Sequence, residues 1–163
     1  TGAVGRKMLA PGLASAISGD RGIHFGVVCR ETTELAWKAA NQRFPEDKAG
    51  QRLLKHSMKN TDSVWKKRLM FAADSEDKCE TGYWLAPFRN FQADCPYFVG
   101  GYKELKELLV SLIKVGVDEF ILDVPPAEEE FAHAQVAFDA AREELAPGAG
   151  RRAAHNAVVE LAG

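Results

Sequence analysis

FVGGYKELKELLVSLIKVGVDEFILDV, residues 98–124, decides the reading of the fold. With Tyr97, its first residues form a short apolar run that Gly100 and Gly101 break. Leu105, Leu108, Leu109, Leu112 and Ile113 then recur at helical spacing, while Lys103, Glu104, Lys106, Glu107 and Lys114 fall mostly on the other face. Gly116 suits the left-handed residue that ends a helix. Phe120, Ile121 and Leu122 supply a second buried strand. Strand, helix and strand in so few residues is a βαβ unit, whose two strands run parallel through a right-handed crossover.

Outward from this unit, the rest of the chain repeats the alternation. Gly22 to Arg30 reads as a strand, with Ile23, Phe25, Val27 and Cys29 on one face and His24, Gly26, Val28 and Arg30 on the other. Thr32 or Thr33 caps a following helix, which Pro45 closes. Glu46 to Ala73 has an uneven helical pattern, broken near Asn60 to Ser63. Tyr83 to Ala86 is a short strand ended by Pro87, and 89–96 a long loop. After the last strand, Pro125 and Pro126 stop the chain, and Glu128, Glu129 and Glu130 favour the positive N-terminus of a helix reaching Leu145. Strands near 22–29, 83–86, 97–99 and 118–123 alternating with helices predict an α/β fold with a parallel sheet. Residues 1–21 read as a Gly/Ala/Ser-rich loop, 22–146 as the folded domain and 147–163 as a tail. The first residue is Thr1 rather than Met, which predicts a chain processed, trimmed or cut from something longer.

A chain of 163 residues with net charge −2 holds one domain with a real core. The charge balance argues against a nucleic-acid footprint, and no apolar run is long enough to span a membrane. Cys29, Cys79 and Cys95 are scattered and odd in number, which fits reduced thiols in the cytoplasm. Cys95, on the loop before the 97–99 strand, is the one placed for exposure. His56, His133 and His155 have no partner at metal-ligand spacing, so no metal is expected from them.

Three stretches together resemble the bacterial luciferase-like flavin monooxygenases. GIHFGVVCRETTELAWKAA is similar to that family's strand and helix, worded close to hVhVRET-E-AW--A. YWLAPFRN followed by YFVGGYKELKELLVSLIKVGVDEFIL resembles W-G…LVG-PE-VA-RL-EY--LGVD-FIL, and PPAEEEFAHAQ stands where the family has YPHLEEAYR. The alkanesulfonate monooxygenases are the branch most resembled, over about Gly22 to Ala141. The resemblance implies a TIM (β/α)8 barrel, of which residues 22–146 would be the C-terminal half. The missing strands would come from an N-terminal half or a second chain, and exposed strand edges would make it a homo-oligomer or bind it to that half. It further implies reduced FMN, or a deazaflavin, supplied by a partner flavin reductase and used with O₂ to oxygenate a small organic substrate.

The departures from that pattern bear on the substrate. Where the alkanesulfonate branch carries an inward Arg and, two residues on, an inward His, this chain has His24 and Gly26. The first change keeps a polar group; the second deletes one. The Gly-rich run before LVG is replaced by NFQADCPY, and GYPH by Asp123-Val124-Pro125-Pro126. A larger or carrier-tethered substrate is therefore as well accommodated as a sulfonate. An inactive half-barrel serving as a docking or dimerisation module is the rival reading.

By the same resemblance, His24 is the first catalytic candidate, an inward group able to donate a hydrogen bond or pass a proton. Arg68, at the place of a mobile-loop arginine, is the second, as a clamp for an anion. Trp84 is a candidate to pack beside the flavin, and Arg89 to meet a phosphate or carboxylate. Gly100 and Gly101 open a helix where backbone N–H groups can hold a phosphate. Asp123 ends the last strand, where a barrel places its site.

Overall fold

The computed structural model describes residues 22–75 and 82–146. The stretches expected to be a leading loop and a tail, and Cys79, lie outside them. The described chain contains β1 (Gly22–Arg30), α1 (Thr33–Arg43), α2 (Lys48–Lys59), α3 (Val64–Ser75), β2 (Tyr83–Trp84), α4 (Ala86–Arg89), β3 (Tyr97–Gly101), α5 (Tyr102–Lys114), β4 (Glu119–Leu122) and α6 (Glu128–Leu145).

Local chemistry sets most of these boundaries. The Thr32 hydroxyl accepts from Leu35 N and caps α1, and the Asp47 carboxylate accepts from Ala49 N and Gly50 N to cap α2. Gly116, at φ +102°, ends α5 as its sequence position predicts. Two expected boundaries move. Pro87 does not end a strand but sits in the first turn of α4, where its missing N–H costs nothing. Gly100 and Gly101 do not break β3 but complete it.

The sheet has four strands in the order β2-β3-β1-β4. β1 pairs in parallel with β3 on one side (Gly26 with Tyr97, Arg30 with Gly101) and with β4 on the other (Ile23 with Phe120, Phe25 with Leu122). The two-residue edge strand β2 runs antiparallel to β3, so the sheet is mostly rather than wholly parallel. The βαβ unit read from residues 98–124 is present, yet its strands are not neighbours: β1 lies between β3 and β4. In a barrel segment taken in chain order, β3 would stand between β1 and β4.

Alternation along β1 gives the sheet two differently covered faces. On the first, Ile23, Phe25 and Cys29 pack with Leu105, Leu109 and Leu112 of α5 and Ala137 and Ala141 of α6. Burying each such leucine contributes about 1.5–3 kcal/mol, and Leu105, Leu109 and Leu112 are at most 1% exposed. On the second face, Val28, Val99 and Tyr97 pack with Ala36, Ala40 and Phe44 at the α1 side. The alanines are fully buried, and their small size lets α1 lie close on the sheet. Helices thus cover both faces of an open α/β sheet, whereas a barrel wall carries its helices on the outside only. The cover of the second face is partial, for Ile121 on β4 is 51% exposed and His24 is also exposed.

Candidate functional site

Polar groups converge on the second face, where its cover stops. Tyr97 starts β3, Gly26 lies beside it on β1, and Asp123 follows directly on β4. The Asp123 N–H donates to Phe25 O at 3.1 Å, which carries the β1–β4 ladder one residue further. Tyr97, Gly26 and Asp123 therefore form a row across three strands. The Tyr97 hydroxyl donates to Asp123 Oδ2 at 2.5 Å, and Arg43 Nη2, from the last turn of α1, donates to the same hydroxyl at 3.2 Å. Arg43 Nη1 is buried without a hydrogen-bond partner.

Gly26 makes this row possible. A Cβ on it would lie 2.2 Å from Cζ of Tyr97 and 2.4 Å from both Cε atoms. The tyrosine ring fills the space that any side chain at position 26 would need. The inward group that the resemblance implies is deleted at Gly26 is thus replaced by a phenol delivered from β3.

The electrostatics follow from burial. Tyr97 is 1% exposed, and its phenol is pushed well above its ordinary range by burial and by its bond to the Asp123 carboxylate, so it stays a proton donor. Cys95, expected to be exposed, is fully buried, and burial first and then the nearby Asp123 charge push its thiol up to about 12. The Pro96 carbonyl, accepting from Gly26 N at 2.8 Å, helps draw the segment carrying Cys95 under α1. One donor atom each from His24, Cys95 and Asp123 lie within 4.8 Å of one another. Spacing along the chain could not reveal this trio. Imidazole, thiolate and carboxylate are a donor set that suits zinc. Of the three, Cys95 is fully buried, Asp123 accepts from Tyr97, and His24 is exposed.

Of the residues singled out from sequence, His24 and Asp123 come together here. Trp84 lies next to the site in an aromatic cluster, edge-on to Trp37 at 5.5 Å and to Phe44 at 5.9 Å, and Phe44 in turn packs on Tyr97 at 4.8 Å. Arg89 is in α4, with its buried Nε lacking a hydrogen-bond partner. Gly100 and Gly101 lie at the carboxyl end of β3, where Gly101 caps α5 without a side-chain hydrogen bond. Arg68 is on the exposed side of α3, outside the convergent group.

Tyr97 and Arg43 are functional candidates that sequence reasoning passed over. Tyr97 reads as one more apolar strand residue, and its signal lies only in the pairing of its position with a glycine. A second polar group forms at the carboxyl ends of β1 and β3. Arg30 makes a two-point ion pair with Glu130 of α6, one arm at 3.1 Å, and the Tyr102 hydroxyl bonds His133 Nδ1 at 2.6 Å. Glu130, read as a helix-start charge, thus has a specific partner.

No protein-family model matches the chain. The chain is similar to the 4-(gamma-L-glutamylamino)butanoyl-[BtrI acyl-carrier protein] monooxygenase BtrO of Niallia circulans, 29% identical over 111 residues. The match takes in 68% of this chain and 32% of the relative, so the chain spans about a third of the length of the curated relative it matches. The chain is a mixed α/β protein with distant homology to a monooxygenase.

Proposed function

We propose that the chain is part of a flavin-dependent, luciferase-like monooxygenase acting on an acyl substrate tethered to a carrier protein. The hydrogen-bonded series Arg43–Tyr97–Asp123 beside the exposed His24 carries this reading. The monooxygenase relative, named for a carrier-bound substrate, supports the reaction class and the tether. The resemblance of the RETTELAW and GVDEFIL segments supports the flavin and the luciferase-like class.

A flavin ring offers carbonyl oxygens that need donors. The orphaned Arg43 Nη1, at the border of an open face, meets that need and fits the group. In this proposal Arg43 holds an acceptor of the cofactor or substrate, the buried Tyr97 hydroxyl fixes the Asp123 carboxylate, and the exposed His24 beside that carboxylate presents a proton to the substrate. Trp84 and Phe44 exclude water from one flank. When bound, reduced FMN (or a deazaflavin) supplies the electrons with which O₂ is activated. The phenol over Gly26 removes one of the two grounds for the inactive-module reading, the missing inward group; the other is the lack of the first strands. The barrel enters only as the architecture of a longer chain, and strand order tests it: β3 beside β4 there would support it, and β1 between them would remove it.

The test uses the longer protein with reduced FMN, O₂ and an acyl thioester substrate. His24→Ala and Asp123→Asn are expected to lower kcat by roughly 100-fold, the scale of a lost proton-transfer group, with unchanged thermal unfolding for His24→Ala, whose side chain is exposed. Wild-type turnover in both variants, or no flavin quenching by the intact protein, would sink the proposal.

A further inference from the structure

The helical hairpin α2–α3 carries charge out of proportion to the rest of the chain. From Lys48 to Arg68 there are seven Lys or Arg and one acid, Asp62, in a protein whose totals are 21 basic and 23 acidic residues. Four of the cations, Lys48, Arg52, Lys55 and Lys59, are all on α2 and all exposed. At 3.6 residues per turn they fall within an arc of about 60°. Among the described residues no carboxylate is ion-paired with any of the four. The nearest acid in sequence, Asp47, is committed to capping the helix. Like charges at this spacing repel and weaken an isolated helix, so the stripe costs stability unless something acidic covers it. The side of α2 turned away from the stripe carries the buried Gly50 and Leu54.

The hairpin is also tied to the site. Gln51 Nε2 donates to Asn90 Oδ1 at 2.9 Å, and Lys66 Nζ to Asp94 Oδ1 at 2.8 Å. Asn90 and Asp94 flank the loop that runs directly into Cys95 and Tyr97. α2 therefore stands between the stripe and the segment that delivers Tyr97, so a partner seated on the stripe bears on that segment through the helix.

We propose that the exposed face of α2, formed by Lys48, Arg52, Lys55 and Lys59, docks the acidic carrier protein that brings the acyl substrate. This rests on the carrier-tethered reading above. Charge complementarity selects an acidic protein surface, and the carrier's phosphodiester-linked arm adds a further anion beside it. Nucleic acid and anionic membrane are disfavoured by the acidic balance of the remaining chain, which would repel an extended polyanion.

The probe is the BtrI acyl-carrier protein in its phosphopantetheine-bearing form, titrated into the intact 163-residue chain. The variants are Arg52→Glu/Lys55→Glu and, as a charge-matched control on other helices, Lys38→Glu/Lys103→Glu. Reversal on α2 is expected to weaken binding roughly ten-fold or more and the control less than about two-fold. Raising salt should weaken the wild type toward the α2 variant. Equal losses in the two variants, or no carrier binding by wild type, would overturn the proposal. So would an α2-dependent affinity for a 20-mer RNA or for phosphatidylserine vesicles in place of the carrier. A parallel turnover assay of the longer protein with a carrier-free pantetheine thioester separates the two readings. Its oxygenation without carrier docking removes the docking surface alone, and docking without flavin-dependent oxygenation removes the flavin chemistry alone. Neutral Arg52→Gln/Lys55→Gln, which spares the helix from reversed charge, should fall between wild type and the glutamate variant.

Discussion

Gly26→Ala adds one methyl group, and the structure sets its cost. The new Cβ would sit 2.2 Å from Tyr97 Cζ, well inside ordinary contact. The far end of a flexible side chain could swing away cheaply, but this ring cannot. Tyr97 is 1% exposed, packs on Phe44, and is held at its hydroxyl by Asp123 and Arg43. Forcing an extra methyl into a filled core costs about 1–3 kcal/mol, and breaking a hydrogen bond to a charged group costs about 1.5–3 kcal/mol more. The expected loss is therefore about 2.5–6 kcal/mol in urea unfolding. A background of Tyr97→Ala supplies the control. There the ring is gone, and Gly26→Ala should cost less than about 0.5 kcal/mol, leaving a coupling energy of about 2 kcal/mol or more. An equal cost in both backgrounds, or no cost in the wild type, would refute the packing of Tyr97 across β1. Loss of helix propensity cannot mimic the effect, because the residue lies in a strand interior where Ala is otherwise no worse than Gly.

Two other predictions concern the opposite end of the sheet and its thiols. Arg30 and Glu130, with side chains 17% and 14% exposed, tie β1 to α6; Glu130→Gln should cost about 2–4 kcal/mol in chemical denaturation by leaving a half-buried guanidinium poorly paired, while Arg30→Met/Glu130→Leu should cost less than the single change. Burial raises both Cys29 and Cys95 to about 12 from an ordinary 9.0. The unfolded chain therefore loses those protons first, so stability is full below pH 9 and falls between pH 9 and 12 by about 1.4 kcal/mol per pH unit for each thiol. Cys29→Ala/Cys95→Ala should flatten that part of a stability-against-pH profile, and an unchanged slope would count against their burial.

The parts of the fold written in local sequence were legible. The α5 leucines recur at a period that only a helix satisfies, Gly116 ends it, and alternation marks β1. What could not be read depends on residues far apart in the chain. β4 and β3 are equally apolar partners for β1, and nothing in either segment says which edge it takes. The prolines near 87 and 126 were ambiguous for a similar reason, since Pro both stops strands and starts helices. His24 and Asp123 were legible as candidates through a resemblance, not through their own chemistry. Cys95 was misread because a loop residue is exposed by default, whereas this loop passes beneath α1. Tyr97 was hidden by its apolar neighbours.

The strand order and the glycine explain each other. Had β3 stood next to β4, Tyr97 and the residue after Leu122 would be lateral neighbours, and their side chains could meet without crossing a strand. With β1 between them, the two positions are two strand spacings apart, about 9–10 Å. A hydrogen bond between their side chains must then pass over the middle strand. The middle position has to be bare for a ring to lie there, and it is Gly26. The same crossing brings the phenol beneath Arg43 at the end of α1 and beside His24, two residues back on the same face. One small residue on β1 thus links three consequences: the order of the sheet, the burial of Tyr97, and the assembly of a polar site from segments about 100 residues apart. Since the order and the site stand on the same contact, the Gly26–Tyr97 coupling measures both. A large coupling energy requires Tyr97 to lie over β1, and a negligible one would release β3 and β4 to pair directly, as a barrel wall demands.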